Sequence, residues 1–318
     1  MARDILISGA LCLLTGCGSG GSGGDSAVDG PFTLLTTDNP NGEDDDPSVA
    51  VDANGDVHVV WFSDRDGTKD LYYLRSTTID LATGTISWTP IVHVTALDAV
   101  DFPPPTQGDN FPALIVDEDG MVNVAWHRWN LANESHIQFL RSDGTPAGWA
   151  GAVTRDVTVG PNFDRFPCLV RYAADDLRIY FGSSTRQTPN VNDIFVSISG
   201  DDGASWGLPA AVATLNVFGE QSQFPRVVKR SATSYLAVLD RWRIGTTTDL
   251  FDPSSDVFYA ESADGEDWTV DQVSVDPLDD QNDIVPALFF DHAGTPSITW
   301  ATIAFGCLLY TSPSPRDS

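Results

Sequence analysis

Apolar and polar residues alternate along this chain in short runs, and the runs come in pairs. The clearest pair lies between Pro47 and Trp61, where Val49, Val51, Val57, Val59 and Trp61 flank a polar break at Asp52-Ala-Asn-Gly-Asp56. Period-two alternation of β-branched residues predicts two strands, and Asn-Gly between them predicts a tight hairpin. A second pair spans Pro112 to Trp126 around Asp117-Glu-Asp-Gly120. More divergent pairs run from Pro167 to Phe181, Pro225 to Leu239 and Pro286 to Trp300, each with the same fourteen-residue offset.

Gly55, Gly120 and Gly294 stand at the hairpin tips, where a positive φ suits glycine. Asp175 and Thr233 replace it in the third and fourth copies, which predicts different turns there. The Asp52–Asp56 segment resembles the start of a calcium loop but lacks the later ligands, so it reads as a hairpin turn.

The unit recurs at intervals of about 60 residues. Its second half carries two further strand-like runs, best seen at Phe195–Ser199 and Val257–Glu261, giving four strands per unit. A lone four-stranded sheet leaves apolar faces in water, so consecutive units must stack face to face about an axis. The expected fold is an all-β propeller of four-stranded antiparallel blades: four nearly complete blades plus part of a fifth. Phe32–Thr36 is expected to add an outer strand that closes the ring.

Between the third and fourth strands of one unit lies Ser199-Gly-Asp201-Asp-Gly203-Ala-Ser-Trp206, which resembles the Asp-box of sialidases and bacterial neuraminidase repeat proteins. Ser262-Ala-Asp264-Gly265-Glu-Asp-Trp268 is a shortened copy, and Arg141–Trp149 and Ser76–Trp88 keep parts of the pattern. The resemblance implies a sialidase-like propeller, six-bladed when complete, in which this motif is a structural turn away from the active site. It also implies a chemistry of three arginines, a tyrosine nucleophile paired with a glutamate, and an aspartic acid. The family's opening aromatic-Arg-Ile-Pro motif is missing here, and Phe224-Pro-Arg226 instead repeats the Phe-Pro of Phe111-Pro112 and Phe166-Pro167.

The ends carry other signals. Residues 1–17 have a short basic start, an apolar run and Leu14-Thr-Gly-Cys17, which resembles a bacterial lipobox and predicts acylation of Cys17. Gly18 in place of aspartate favours outer-membrane sorting, and residues 18–30 read as a Gly/Ser-rich tether. The expected location is therefore the bacterial cell envelope, lipid-anchored at the outer membrane or cell surface. Residues 31–306 are expected to be the propeller, cut short in its fifth unit. Residues 307–318 resemble a translated sequencing adapter. Of the four cysteines only Cys168 then belongs to the folded unit, and its apolar strand predicts a buried thiol.

A net charge of −28 argues against nucleic acid as a partner. No motif for a cofactor appears. Asp44, Asp109, Asp164 and Asp283 precede the repeat proline by three residues, with Ser222 in the fourth copy, and form a candidate acidic ring for a cation. The alternative is that each caps its own turn. Arg65, Arg128, Arg186, Arg241 and Arg243 follow the second strands on the same expected face. Arg128, Arg186 and Arg241 are candidates for holding an anionic sugar, or else pair with Asp64, Asp66 and Asp240. Trp129 and Trp242 stand beside them as candidate stacking platforms or packing residues. Three functions stay open: a non-catalytic propeller binding glycans or proteins, which the residues favour; an exo-acting sialidase-type glycosidase; and an envelope scaffold.

Overall fold

In a computed structural model, the protein is described at residues 43–80, 85–95, 108–130, 132, 134–186, 191–243, 255–274, 281–290, 294–304 and 307–311. The lipobox with Cys17, the tether and Phe32–Thr36 lie outside the described residues.

Among the described residues the regular structure is all strand apart from one short helix. The first sheet contains β1 (Asp44–Val51), β2 (Val57–Ser63), β3 (Asp70–Asp80) and β4 (Thr85–Trp88) in that order, with β5 (Val92–His93) also on β3. The second has β6 (Asp109–Val116), β7 (Val122–Trp129), β8 (Ser135–Ser142) and β9 (Arg155–Asp156), with α1 (Pro146–Gly151) between the last two. The third is β10 (Asp164–Arg171), β11 (Leu177–Ser183), β12 (Asp193–Ser199) and β13 (Ala210–Ala211). The fourth is β14 (Glu220–Ser231), β15 (Ser234–Arg243), β16 (Ser255–Ser262) and β17 (Thr269–Gln272). A single parallel pair, Ser255 with Asn282, links it to β18 (Gln281–Phe290), β19 (Pro296–Ala304) and β20 (Cys307–Thr311). Residues 307–311 thus pair antiparallel with β19 as a third strand.

Sequence alternation explains the stacking. Along β7, Val122, Val124 and Trp126 pack on Val60, Phe62, Leu71 and Tyr73 of the first sheet. Ala125, between them, points the other way with Ile137 and Phe139, onto Leu169, Ile179 and Phe181 of the third. Tyr180, Ile194 and Cys168 meet Val227, Leu239 and Trp268 of the fourth. Each buried Val, Leu, Ile or Phe among them stabilises the stack by about 1.5–3 kcal/mol, so the cohesion lies between sheets.

The first strands lie innermost: β6 packs on β1, β10 on β6, β14 on β10 and β18 on β14. In all five the residue before the proline has positive φ: Asp46 at 48°, Phe111 at 49°, Phe166 at 58°, Phe224 at 50° and Val285 at 52°. The ladder register shifts at the same place in every first strand, a β-bulge where proline offers no donor. This turn brings three phenylalanines from three sheets together, with ring centroids 4.8 Å apart for Phe111 and Phe166 and 3.8 Å for Phe166 and Phe224. The recurring Phe-Pro is a packing device at the centre.

At the opposite ends of the sheets lie the turns that resemble the Asp-box. Ser199 Oγ accepts the Gly203 N–H at 2.8 Å, and Asp201 accepts the Ser205 N–H at 2.8 Å. Ser262 and Asp264 repeat this with Gly265 at 2.8 Å and Glu266 at 2.9 Å. Gly203 rests against Phe139, and Gly265 against Tyr172, each in the preceding sheet. Trp206 meets Phe139 at 5.1 Å and Trp268 meets Tyr180 at 6.2 Å. The partial pattern at Arg141–Trp149 makes an equivalent turn: Gly144 lies against Tyr73, and Trp149 packs on it at 4.9 Å. Ser76–Trp88 does not, because β3 runs on through Ser76 to Asp80 and pairs with β4.

Candidate functional site

Antiparallel pairing sets the start of each first strand against the end of each second strand, as in Asp44 with Ser63 and Asp109 with Arg128. The conspicuous aspartates and arginines therefore share one end of the sheets, the entrance face. There they meet each other. Arg128 grips the fully buried Asp109 through Nε at 2.7 Å and Nη2 at 3.1 Å. Arg186 grips Asp164 at 2.8 and 2.5 Å, and Arg65 reaches Asp44 at 2.8 Å. The indole N–H groups of Trp61 and Trp126 add bonds to Asp44 at 3.1 Å and to Asp109 at 2.7 Å. In the fifth unit the Thr302 hydroxyl donates to Asp283 at 2.5 Å.

Where Ser222 replaces aspartate, Arg241 donates instead to the Leu215 carbonyl at 3.0 Å and Ser222 Oγ at 3.4 Å, with Glu220 at 3.6 Å. Arg128 and Arg186 are thus engaged inside their own sheets, and Arg241 by its own sheet and the segment that leads into it. The carboxylates gripping Arg65, Arg128 and Arg186 are Asp44, Asp109 and Asp164 rather than Asp64, Asp66 and Asp240. These aspartates hold side chains across the sheet instead of forming a free ring or capping their own turns. A buried carboxylate needs such partners, which is why the pair recurs. Among the described residues no cluster of three metal-ligating side chains occurs.

One cation of the entrance face stands outside this scheme. Arg165, beside Asp164 on β10, has no hydrogen bond or carboxylate partner among the described residues, and its guanidinium lies over the rings of Trp129 at 5.9 Å and Phe166 at 5.3 Å. Burial alone pulls its pKa down, with no acid offsetting it. Sequence reasoning passed over it by following only the arginines after second strands. Its signal was positional, for Asn110 and Gln223 occupy the equivalent place in neighbouring copies. Trp129 is half-buried, with Phe163 edge-on at 6.1 Å and His127 at 6.2 Å. Complete burial lowers the His127 pKa to about 3, so that imidazole is neutral. Trp242 is half-buried, its indole N–H without a partner among the described residues, and the Arg243 backbone pairs with Glu220.

Two carboxyls near the centre are shifted upward. Burial, reinforced by Asp45, raises Asp46 to about 7 against the opposing pull of Arg226. Asp240, wholly buried, is raised well above the ordinary range by desolvation, and the Val285 N–H at 3.4 Å is its hydrogen bond. A Tyr–Glu pair exists as well, with Tyr259 donating to Glu261 at 2.6 Å, but it stands on the third strand of the fourth sheet.

No family model matches the sequence, and no curated protein matches it in sequence. Solved structures do share its shape. The α-L-arabinanase of Penicillium chrysogenum, complexed with arabinobiose, superposes with a TM-score of 0.56 at 14% identity, covering 82% of this chain and 77% of its own. The endo-arabinase of Bacteroides thetaiotaomicron gives 0.55 at 15% identity, covering 86% and 94%. A Trypanosoma rangeli sialidase mutant displaying trans-sialidase activity gives 0.55 at 14% identity, covering 84% of this chain and 44% of that one. The fold is a sialidase-like β-propeller. The sheets are its blades, the bulged first strands line its axis, and at these identities the likeness reaches no further than the architecture.

Proposed function

We propose that this protein is a lipid-anchored propeller of the bacterial cell envelope that binds saccharides on its entrance face without cleaving them. The observation that carries the reading is Trp129, a half-buried indole at the entrance end of β7, braced edge-on by Phe163 and His127. An immobilised aromatic plane of this kind stacks on the C–H face of a sugar ring with little entropy cost. Glycoside hydrolases among proteins of the same architecture lend the ligand class support, and the lipobox-like Leu14–Cys17 supports the anchor. A glycan array probed with the full chain and with Trp129→Ala tests the binding. Discrete saccharide signals that vanish in the variant support it, and an array blank for both proteins counts against it.

One observation favours a second reading, a glycosidase. Asp46 is a carboxyl on an axis-lining strand raised to about 7, the range of a general acid. Release of a fluorophore from glycosyl substrates, abolished in Asp46→Asn, would establish that alternative.

A further inference from the structure

The face that carries the Asp-box-like turns is crowded with carboxylates. The hairpin tips between first and second strands end there too, and with those turns they expose Glu118, Asp119, Asp143, Asp175, Asp201 and Asp264 from three consecutive blades. None of the six forms an ion pair among the described residues. Three arginines of this face are instead taken up at the seams between blades. Arg141 and Arg171 each bridge Asp117 of the second blade and Asp202 of the third, at distances of 2.7, 2.8 and 3.2 Å. Arg178 lies between Asp176 of the third blade at 3.2 Å and Glu266 of the fourth at 3.8 Å. Lysine, the flexible point charge that offsets surface acid without a fixed geometry, occurs only twice in the sequence. Both copies are engaged, Lys69 with Glu43 and Lys229 with the Tyr172 carbonyl.

Two opposing effects then depend on salt. Repulsion among the surface carboxylates acts through water over a Debye length, about 30 Å at 0.01 M and about 3 Å at 1 M. A net charge of −28 makes that repulsion a direct opponent of the compact state. Attraction at the seam of the second and third blades acts between half-buried arginines and carboxylates in contact, which salt screens far less. Added salt therefore removes the repulsion and keeps the seam. We propose that the fold of this protein is conditional on salt: dissolved cations, held diffusely over the face of the Asp-box-like turns, are the partner that lets the blades close, and the protein is built for a saline medium.

The test is a series of thermal melts of the full chain at constant pH, followed by tryptophan fluorescence, from about 0.01 M to about 1 M sodium chloride and repeated with choline chloride and sodium sulfate at matched ionic strength. A separate titration adds calcium chloride from micromolar levels in dilute buffer. The expected result is a melting temperature raised by about 10 °C or more, most of it by about 0.3 M, and set by ionic strength whatever the monovalent cation or the anion. Glu118, Asp119, Asp175 and Asp267 are exposed, and their side chains carry no hydrogen bond among the described residues. Changing them together, as Glu118→Lys, Asp119→Lys, Asp175→Lys and Asp267→Lys, should raise the melting temperature in dilute salt and cut the rise to about half, because self-repulsion grows as the square of net charge. The isosteric set Glu118→Gln, Asp119→Asn, Asp175→Asn and Asp267→Asn should cut it by about a quarter, and it serves if the reversed protein does not fold. A melting temperature that is flat or falls with salt overturns the proposal. So does a rise that is steeper in sulfate than in chloride and equal in wild type and variants, which is general salting-out. Saturation at micromolar calcium with sodium inert overturns it as well, in favour of a coordinated ion.

Discussion

The Gly203→Ala substitution probes the contact on which blade stacking depends. Gly203 has φ +81°, and a Cβ built on it would stand 2.6 Å from Phe139 Cζ and closer still to Cε1. Phe139 is 1% exposed and lies against Trp206, so its ring has nowhere to swing. Two costs add: left-handed backbone strain of about 1–2 kcal/mol, and overpacking of about 1–3 kcal/mol. The control is Gly120→Ala, where φ is +78° and nothing lies within 4 Å of the added carbon, so only the strain applies. Urea denaturation followed by tryptophan fluorescence should give Gly203→Ala a loss of about 2–5 kcal/mol and Gly120→Ala about 1–2 kcal/mol, with similar m-values. Equal losses, within about 0.5 kcal/mol, would mean that the turn does not seat on the neighbouring blade, and the stacking argument would fall.

Arg128→Ala should cost about 3–5 kcal/mol in the same assay, because it strands the buried Asp109 carboxylate, and Arg128→Met with Asp109→Leu should recover much of it. Wild-type stability in the single variant would refute a structural role for the pair. Asp46 makes stability fall as pH rises: its folded pKa of about 7 exceeds the unfolded value of 3.8, so the native state binds more protons between those limits. The protonated carboxyl therefore contributes stability at low pH that is progressively lost toward pH 7, up to about 4 kcal/mol, and Asp46→Asn should flatten the profile of denaturation midpoint against pH. Cys168 Sγ accepts the Val227 N–H at 3.1 Å, as Ser48 Oγ accepts the Leu114 N–H at 3.1 Å two interfaces earlier. Cys168→Ser should therefore stay within about 1 kcal/mol of wild type while Cys168→Ala loses about 1–3 kcal/mol. A thiol reagent should label Cys168 only on unfolding, since burial raises its pKa.

The architecture was legible because its signals are local. Alternating Val and Trp positions, a glycine at the hairpin tip and a proline at fixed offset each act within one hairpin, and the stacking follows from apolar residues on both faces. The Ser199–Trp206 turn was legible for the same reason. The Asp–Arg pairs were harder to see, because a bulge at the pre-proline residue resets the register that brings Asp109 opposite Arg128. Nothing in Phe111, Phe166 or Phe224 announces positive φ, a conformation usually left to glycine, so their meeting at the axis could not be read from the chain. Arg165 was hidden for a different reason: its distinction is the lack of a partner, and that appears only once the other arginines have been matched with theirs.

Hydrogen–deuterium exchange of the full chain, with and without a saturating saccharide found on the array, tests the central claim most directly. Binding at the entrance face predicts slowed exchange at residues 127–130 and 163–166, with the turns at 117–121 and 199–206 unchanged. Protection confined to those turns, or no protection anywhere, would contradict it.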